Sequence, residues 1–268
     1  MNYHSDEYIM KGIQEHWAEA NATLPNNQLV GIFNQGSGNY GLDYKGSDID
    51  TKVLVLPTLR DIALNTKPIS TTHVRANEEH IDLKDARLYI QLFRKGNINF
   101  VEILFTPYYI AAAGYEDLVS QLRANAEAIA HMNPYRSVKA MKGTALEKYH
   151  ALKHEYPSKV DIIQKVGYDP KQLSHLVRVK EFMERFMAGE PYADCLISKE
   201  PEYLLRLKTQ GIPLSQAEEL AAVSLYEVDQ MADRFCAQVP DEEDAVMAEF
   251  LEEMQYNLIK RAVQKELE

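Results

Sequence analysis

The chain has 268 residues, enough for one large domain or two smaller ones, each with its own core. Hydrophobic residues make up 46% and charged residues 26%, an ordinary globular composition, and no apolar run approaches the ~20 residues of a membrane-spanning helix. A net charge of −11 argues against a chain that coats nucleic acid through a generally basic surface, and Cys195 and Cys236 lie too far apart for a metal or redox motif.

In chain order, Tyr8, Ile9, Ile13, Trp17 and Ala20 recur at helical spacing, which predicts a helix over 4–21 that ends before Pro25. A strand is expected over 28–35, a glycine turn from Gly36, and a second strand over about 48–56 that carries Asp48 and Asp50 and stops at Pro57. Thr58 caps a short helix over 59–64. Residues 69–83 read as two short strands around a turn at Ala76-Asn77, and Asp82 or Asp85 starts a helix over 84–95 that Gly96 and Asn97 stop. Ile98–Phe105 reads as one more strand. Beyond residue 108 helical segments dominate, at roughly 115–131, 134–154, 170–188, 200–209, 214–238 and 241–266. The breaks fall at Asn133-Pro134, Tyr156-Pro157, Gly189-Glu190-Pro191 and Gly211-Ile212-Pro213. This pattern places an α/β domain at 1–110 and a helical domain at 111–268.

The chemistry concentrates in Gly36-Ser37-Gly38-Asn39-Tyr40-Gly41, followed by Ser47-Asp48-Ile49-Asp50. Residues two apart on a strand share a face, and two carboxylates held there repel unless a cation or proton sits between them. Such a pair is how a divalent-metal site for phosphoryl transfer is built, usually with a third carboxylate. Asp82 is the candidate third, because its strand is expected beside the first two; Glu102, interrupting an apolar run, is the alternative. Asp82 could instead cap the next helix, and Glu102 could pair with Arg87 or Arg94. Backbone N–H groups at Gly36 and Ser37, with the Ser37 hydroxyl, can hold a phosphate.

Gly36-Ser37, Gly41 and Ser47-Asp48-Ile49-Asp50 resemble the signature of the DNA polymerase β-like nucleotidyltransferase superfamily. His80-Ile81-Asp82-Leu83-Lys84-Asp85, Gly96-Asn97, Glu102-Ile103-Leu104-Phe105-Thr106-Pro107 and Gly167–Arg178 resemble its bacterial and phage members associated with RNA-repair operons. The resemblance spans roughly 28–190. It implies an α+β fold, a polymerase-β-like palm of mixed sheet and flanking helices followed by an all-α domain. It also implies transfer of a nucleoside monophosphate from an NTP, with ATP the expected donor, and release of pyrophosphate. Asp48, Asp50 and Asp82 would bind two Mg2+ (or Mn2+) ions, Asp82 helping to activate the acceptor hydroxyl, and Gly36, Ser37 and Ser47 would hold the triphosphate. Thr51-Lys52 departs from the family, which continues there with apolar residues; Lys52 shares a strand face with the aspartates and can pair with a carboxylate or reach a phosphate.

Residues 136–185 hold 11 Lys and Arg against 6 acids, and residues 240–268 hold 9 acids against 3 bases. Lys171, His175 and Arg178 form one stripe of a helix opposite Leu173, Leu176, Val177, Met183 and Phe186. The stripe is either a triphosphate or acceptor contact or a solvated face, and Lys139, Lys142 and Lys148 offer weaker versions. His150 and His154 have metal spacing without an acidic partner motif, and Tyr40 and Tyr44 could stack a base or sit buried in the turn. An RNA end, tRNA-like, is the expected acceptor. A protein side chain, a small molecule, or a non-catalytic nucleotide- or RNA-binding module are the alternatives. The N-terminal residues lack the basic and apolar regions of a signal peptide, so the cytoplasm is the expected location, with no membrane partner.

Overall fold

The computed structural model describes residues 3–155 and 159–268. The chain divides into two compact units, Met1–Met132 with Glu243–Glu268, and Asn133–Glu242. The expected break at Tyr156-Pro157 lies outside the described residues.

The first unit is built on a five-stranded mixed sheet in the order β3-β4-β2-β1-β5. Its strands are β1 (Leu29–Gln35), β2 (Asp50–Val55), β3 (Ser70–Val74), β4 (His80–Asp85) and β5 (Tyr109–Ala111). β1 runs antiparallel to β2 with Ile32 opposite Val53 and Gln35 opposite Asp50. β2 and β4 are parallel, with Lys52 beside Asp82 and Val53 beside Leu83. β3 and β5 flank antiparallel. Alternation of side chains across the strands therefore separates two sets of residues. Ile32, Val53, Val55, Ile81 and Leu83 face helix α1 (Asp6–Thr23) and form a core with its Ile9, Ile13 and Ala20. Gln35, Asp50, Lys52, His80, Asp82 and Lys84 occupy the other side.

Several local signals act as the sequence predicts. Thr58 and Asp61 make a capping box for α2 (Leu59–Ala63). Asp85, rather than Asp82, caps α3 (Ala86–Arg94), its Oδ1 accepting from the Arg87 N–H at 2.8 Å. The segment expected to be a strand at 98–105 is instead α4 (Ile98–Val101) followed by a 3-10 turn, Glu102–Leu104. Asn97 caps it by accepting from the Asn99 N–H, and Ile98 and Val101 are buried at helical spacing. A short apolar run is compatible with a buried helical turn as much as with a strand, and here the cap decides.

The expected boundary at 110 differs from the compact units, because β5, α5 (Glu116–Ala124), α6 (Ala126–His131) and α13 (Ala245–Leu267) belong with the sheet. α13 buries Leu251, Met254, Leu258 and Ala262. Arg94 pairs with Glu243 and Glu252, Arg261 with Asp117, and the Gln28 amide donates to the Ala262 carbonyl at 2.7 Å. The acidic C-terminal helix thus packs on its own chain.

The second unit is helical throughout its described residues: α7 (Pro134–Ala151), α8 (Val160–Val166), α9 (Pro170–Met187), α10 (Tyr192–Leu196), α11 (Pro201–Gln210) and α12 (Leu214–Cys236). Asn133 and Asp169 cap α7 and α9, each followed by proline at the first helical position. α9 is central: Leu173, Leu176, Val179, Phe182, Met183 and Phe186 are buried, with α7, α10, α11 and α12 packed around it. Among the described residues no helix is long and apolar enough to cross a membrane.

Candidate functional site

The glycine turn follows β1 directly. Gly36 has φ +86°, a backbone state that L side chains rarely adopt, and opens a 3-10 turn over Ser37–Asn39. Its position is set by Asn34, which belongs to no motif read from the sequence, together with Asn39 and Thr106. Asn34, buried at the end of β1, donates through Nδ2 to Asn39 Oδ1 at 3.0 Å. Asn39 Nδ2 donates back to the Asn34 carbonyl at 2.9 Å, and Thr106 Oγ1 donates to Asn39 Oδ1 at 2.6 Å. An asparagine closing an otherwise apolar strand is the signal available for this in the sequence. Ser37 Oγ reaches Ser47 Oγ at 3.3 Å, and Ser47 Oγ also accepts from the Tyr44 N–H at 2.9 Å. The turn and the Ser47-Asp48 loop therefore lie against each other, and Gln35, Gly38, Ser47 and Asp48 line one shallow depression.

Asp48 is exposed and sits in the loop before β2, so it does not share a strand face with Asp50 as the sequence pattern implies. β2 begins only at Asp50. Asp50 Oδ1 accepts from the His80 N–H at 2.9 Å and lies 3.2 Å from His80 Nδ1, a contact across the parallel β2–β4 pair.

Asp82 lies on the same sheet face as Asp50, but two lysines meet it. Its Oδ2 is 3.6 Å from Lys52 Nζ and its Oδ1 3.8 Å from Lys84 Nζ. Both ammonium groups lie over the Phe100 ring, at 4.6 and 5.3 Å from its centroid. Lys52 also donates to Gln35 Oε1, and Lys84 to Ser70 Oγ at 2.8 Å. Burial lowers the Lys52 pKa, and the charges of Asp82 and Glu102 oppose that shift. Glu102 is on the 3-10 turn, not on a strand; it is buried and accepts from the Tyr40 hydroxyl at 2.9 Å, rather than pairing with Arg87 or Arg94. Tyr40 is itself buried, so its ring packs in the turn. Among the described residues no set of three His, Cys, Asp or Glu is grouped closely enough to hold a metal ion. The three-carboxylate cage implied by the family pattern is not formed.

On the opposite face a buried network holds the loop between these two aspartates. His16 of α1, fully buried, lies 2.9 Å from Thr51 Oγ1 through Nδ1 and 3.0 Å from Glu79 Oε2 through Nε2. Arg75 Nη1 donates to Glu79 Oε2 at 2.6 Å and also meets Glu15 and Glu19. The Ile49 N–H, between Asp48 and Asp50, points at Glu79 Oε1 at 3.5 Å. Burial raises the Glu79 pKa, but hydrogen bonds from His16, Asn77 and Arg75 outweigh it and hold the carboxyl below its ordinary range. His16 falls on the apolar stripe Ile9, Ile13, Ala20, which marks it as a buried polar group in the sequence itself.

In the helical unit, Lys171, His175 and Arg178 all lie on α9. Arg178 is only 5% exposed, so the stripe is not a plain solvated face. Burial first, and then the charges of Arg178, Lys171, Lys148 and Lys208, push His175 well below the usual imidazole range, leaving it neutral at pH 7. Lys142 pairs with Asp229 and Asp233, Lys148 with Glu147, and Lys139 lies over the Tyr135 ring. His150 and His154 belong to no metal-holding group among the described residues.

No protein-family model and no curated protein matches the chain. Among solved structures, a nucleotidyltransferase-like protein from Exiguobacterium sibiricum 255-15 aligns at 9% identity over 83% of this chain and 74% of that one. The TM-score is 0.31. A likeness of that size does not decide an activity.

Proposed function

We propose that the sheet unit is a nucleotidyltransferase, moving a nucleoside monophosphate from an NTP, ATP in the first instance, to an acceptor hydroxyl with release of pyrophosphate. The observation that carries the reading is the juxtaposition of the Gly36-Ser37 turn with the Ser47-Asp48 loop, with Asp50 opening the next strand. Gly36, Ser37 and Ser47 hold the triphosphate. Asp48 and Asp50 would hold a divalent ion, Mg2+ or Mn2+, which would neutralise triphosphate charge. An RNA end is the proposed acceptor, favoured by the excess of Lys and Arg over 136–185. Cytoplasmic location goes with this reading.

A second reading has its own support: a nucleotide-binding module without catalysis, favoured by the commitment of Asp82 to Lys52 and Lys84 and of Glu102 to Tyr40.

Calorimetric titration of each NTP, with and without Mg2+, tests the site. The wild type should bind a nucleotide only with metal, and Asp48→Ala/Asp50→Ala should bind it more than about 100-fold more weakly, beyond the range for residues that merely support a metal ligand. Equal binding by the two proteins would refute the site. Metal-dependent binding without transfer of labelled nucleotide to any RNA, protein or small-molecule acceptor would favour the binding module.

A further inference from the structure

Lys52 occupies an unusual position. Register places it beside Asp82 and directly opposite Phe33, two residues after Asp50 and on the same face. It is only 5% exposed, so its charge cannot be turned out to solvent while its stem stays in the sheet. A buried ammonium is costly unless opposite charge and hydrogen bonds surround it. Here Asp82, the Gln35 amide oxygen and the Phe100 ring do so, and the Glu102 carboxylate adds its field. Lys84 meets the second Asp82 oxygen. Each oxygen of the third carboxylate thus faces a cation of the chain itself. A divalent ion bound at Asp82 would have to sit beside two ammonium groups, one of them unable to leave.

We infer that Lys52 supplies the fixed positive charge on the Asp82 side of this sheet face, in the place of a second divalent ion, so that each chain binds one ion, at Asp48 and Asp50. Asp82 is then the counter-ion that positions Lys52 and not a metal ligand. This rests on the nucleotidyl-transfer reading above.

The test is Mn2+ titration of the full chain in the presence of one equivalent of a non-hydrolysable ATP analogue, followed by electron paramagnetic resonance. Two ions in a shared site lie about 3.5–4 Å apart and couple magnetically, whereas a single ion does not. The wild type and Asp82→Asn should each bind one ion per protein–nucleotide complex, with an uncoupled spectrum. Lys52→Met should admit a second ion and show coupling. Two coupled ions in the wild type, reduced to one by Asp82→Asn, would overturn the inference while leaving the transferase reading intact. A folded Lys52→Met protein that still binds one ion overturns the role given to Lys52. Should Lys52→Met fail to fold, the wild-type and Asp82→Asn counts decide. Ion binding that is absent, or unchanged in Asp48→Asn/Asp50→Asn, removes the transferase reading and the inference with it.

Discussion

On one face of the sheet, Ile32, Val53 and Ile81 pack against Ile9 and Ile13 of α1; on the other, Gln35 and Asp82 meet Lys52, and Asp50 meets His80. The same three strands supply both sets, one residue out of step. The apolar face takes in buried polar groups, the His16–Glu79–Arg75 network among them, and every group in that network has a partner. The polar face is closed differently, by cations of the chain placed against its own carboxylates. The contrast teaches that burial alone does not separate scaffold from site. Lys52 is as enclosed as the core residues, yet it is the charge about which the candidate site is arranged.

The contrast can be strained from the apolar side. Ile81→Ala should cost about 2–5 kcal/mol, because it opens a cavity where α1 crosses β4. Urea denaturation should show the loss as a lower midpoint with an unchanged slope. A loss below ~1 kcal/mol would mean that α1 does not seal that face.

A smaller effect is expected at the polar intrusion. Glu79→Gln should destabilise by about 1–3 kcal/mol at neutral pH, since it weakens the charge-assisted bonds to Arg75 and His16. The folded Glu79 pKa lies below its ordinary value, so its contribution is present above the unfolded carboxyl pKa and is lost as pH falls through the folded one. The Gln variant should therefore lose less stability on acidification below about pH 4.5 than the wild type does. Parallel acid-denaturation curves would count against the network.

The least effect should come from Asp117→Asn, at most about 1 kcal/mol, because its pair with Arg261 is largely exposed. The hydrogen bond from Arg261 lowers the Asp117 pKa to about 2, so the pair helps above the unfolded carboxyl value and fades as pH falls towards 2. Thermal melts at pH 7 and pH 2 check it: the difference between wild type and variant should be present at the first and shrink at the second.

The sequence was most legible where periodicity and caps agree. The α1 stripe, the Thr58 capping box, the β3–β4 hairpin and the helices from Pro134 onward follow from local rules. It misled where a short apolar run carried no period, at Ile98–Leu104, and where a motif implied a strand that starts two residues later, at Asp48. The boundary at 110 was illegible because α13 returns to the sheet from more than a hundred residues away, and periodicity says nothing about partners. Of the candidate site, the glycine turn and Asp50 were readable directly. The restraint on Asp82 was not: it depends on the β2–β4 register, which places Lys52 beside it, and on a phenylalanine from another element.

That returning helix has a consequence for how the molecule is made. The Asp244 N–H donates to the Met132 carbonyl at 2.7 Å and the Asn133 amide donates to Asp241 Oδ1 at 2.9 Å, so the two ends of the intervening helical segment lie together. During synthesis the sheet emerges first, but α13, which covers α3 and meets α2 and α5, is translated only after residues 133–242. Domains fold as units in the order they emerge. The sheet unit must therefore wait, with an apolar surface uncovered, until the inserted unit has been completed. The junction that makes it wait also makes it separable: joining Met132 to Glu243 through a short linker would encode the sheet unit as one uninterrupted polypeptide.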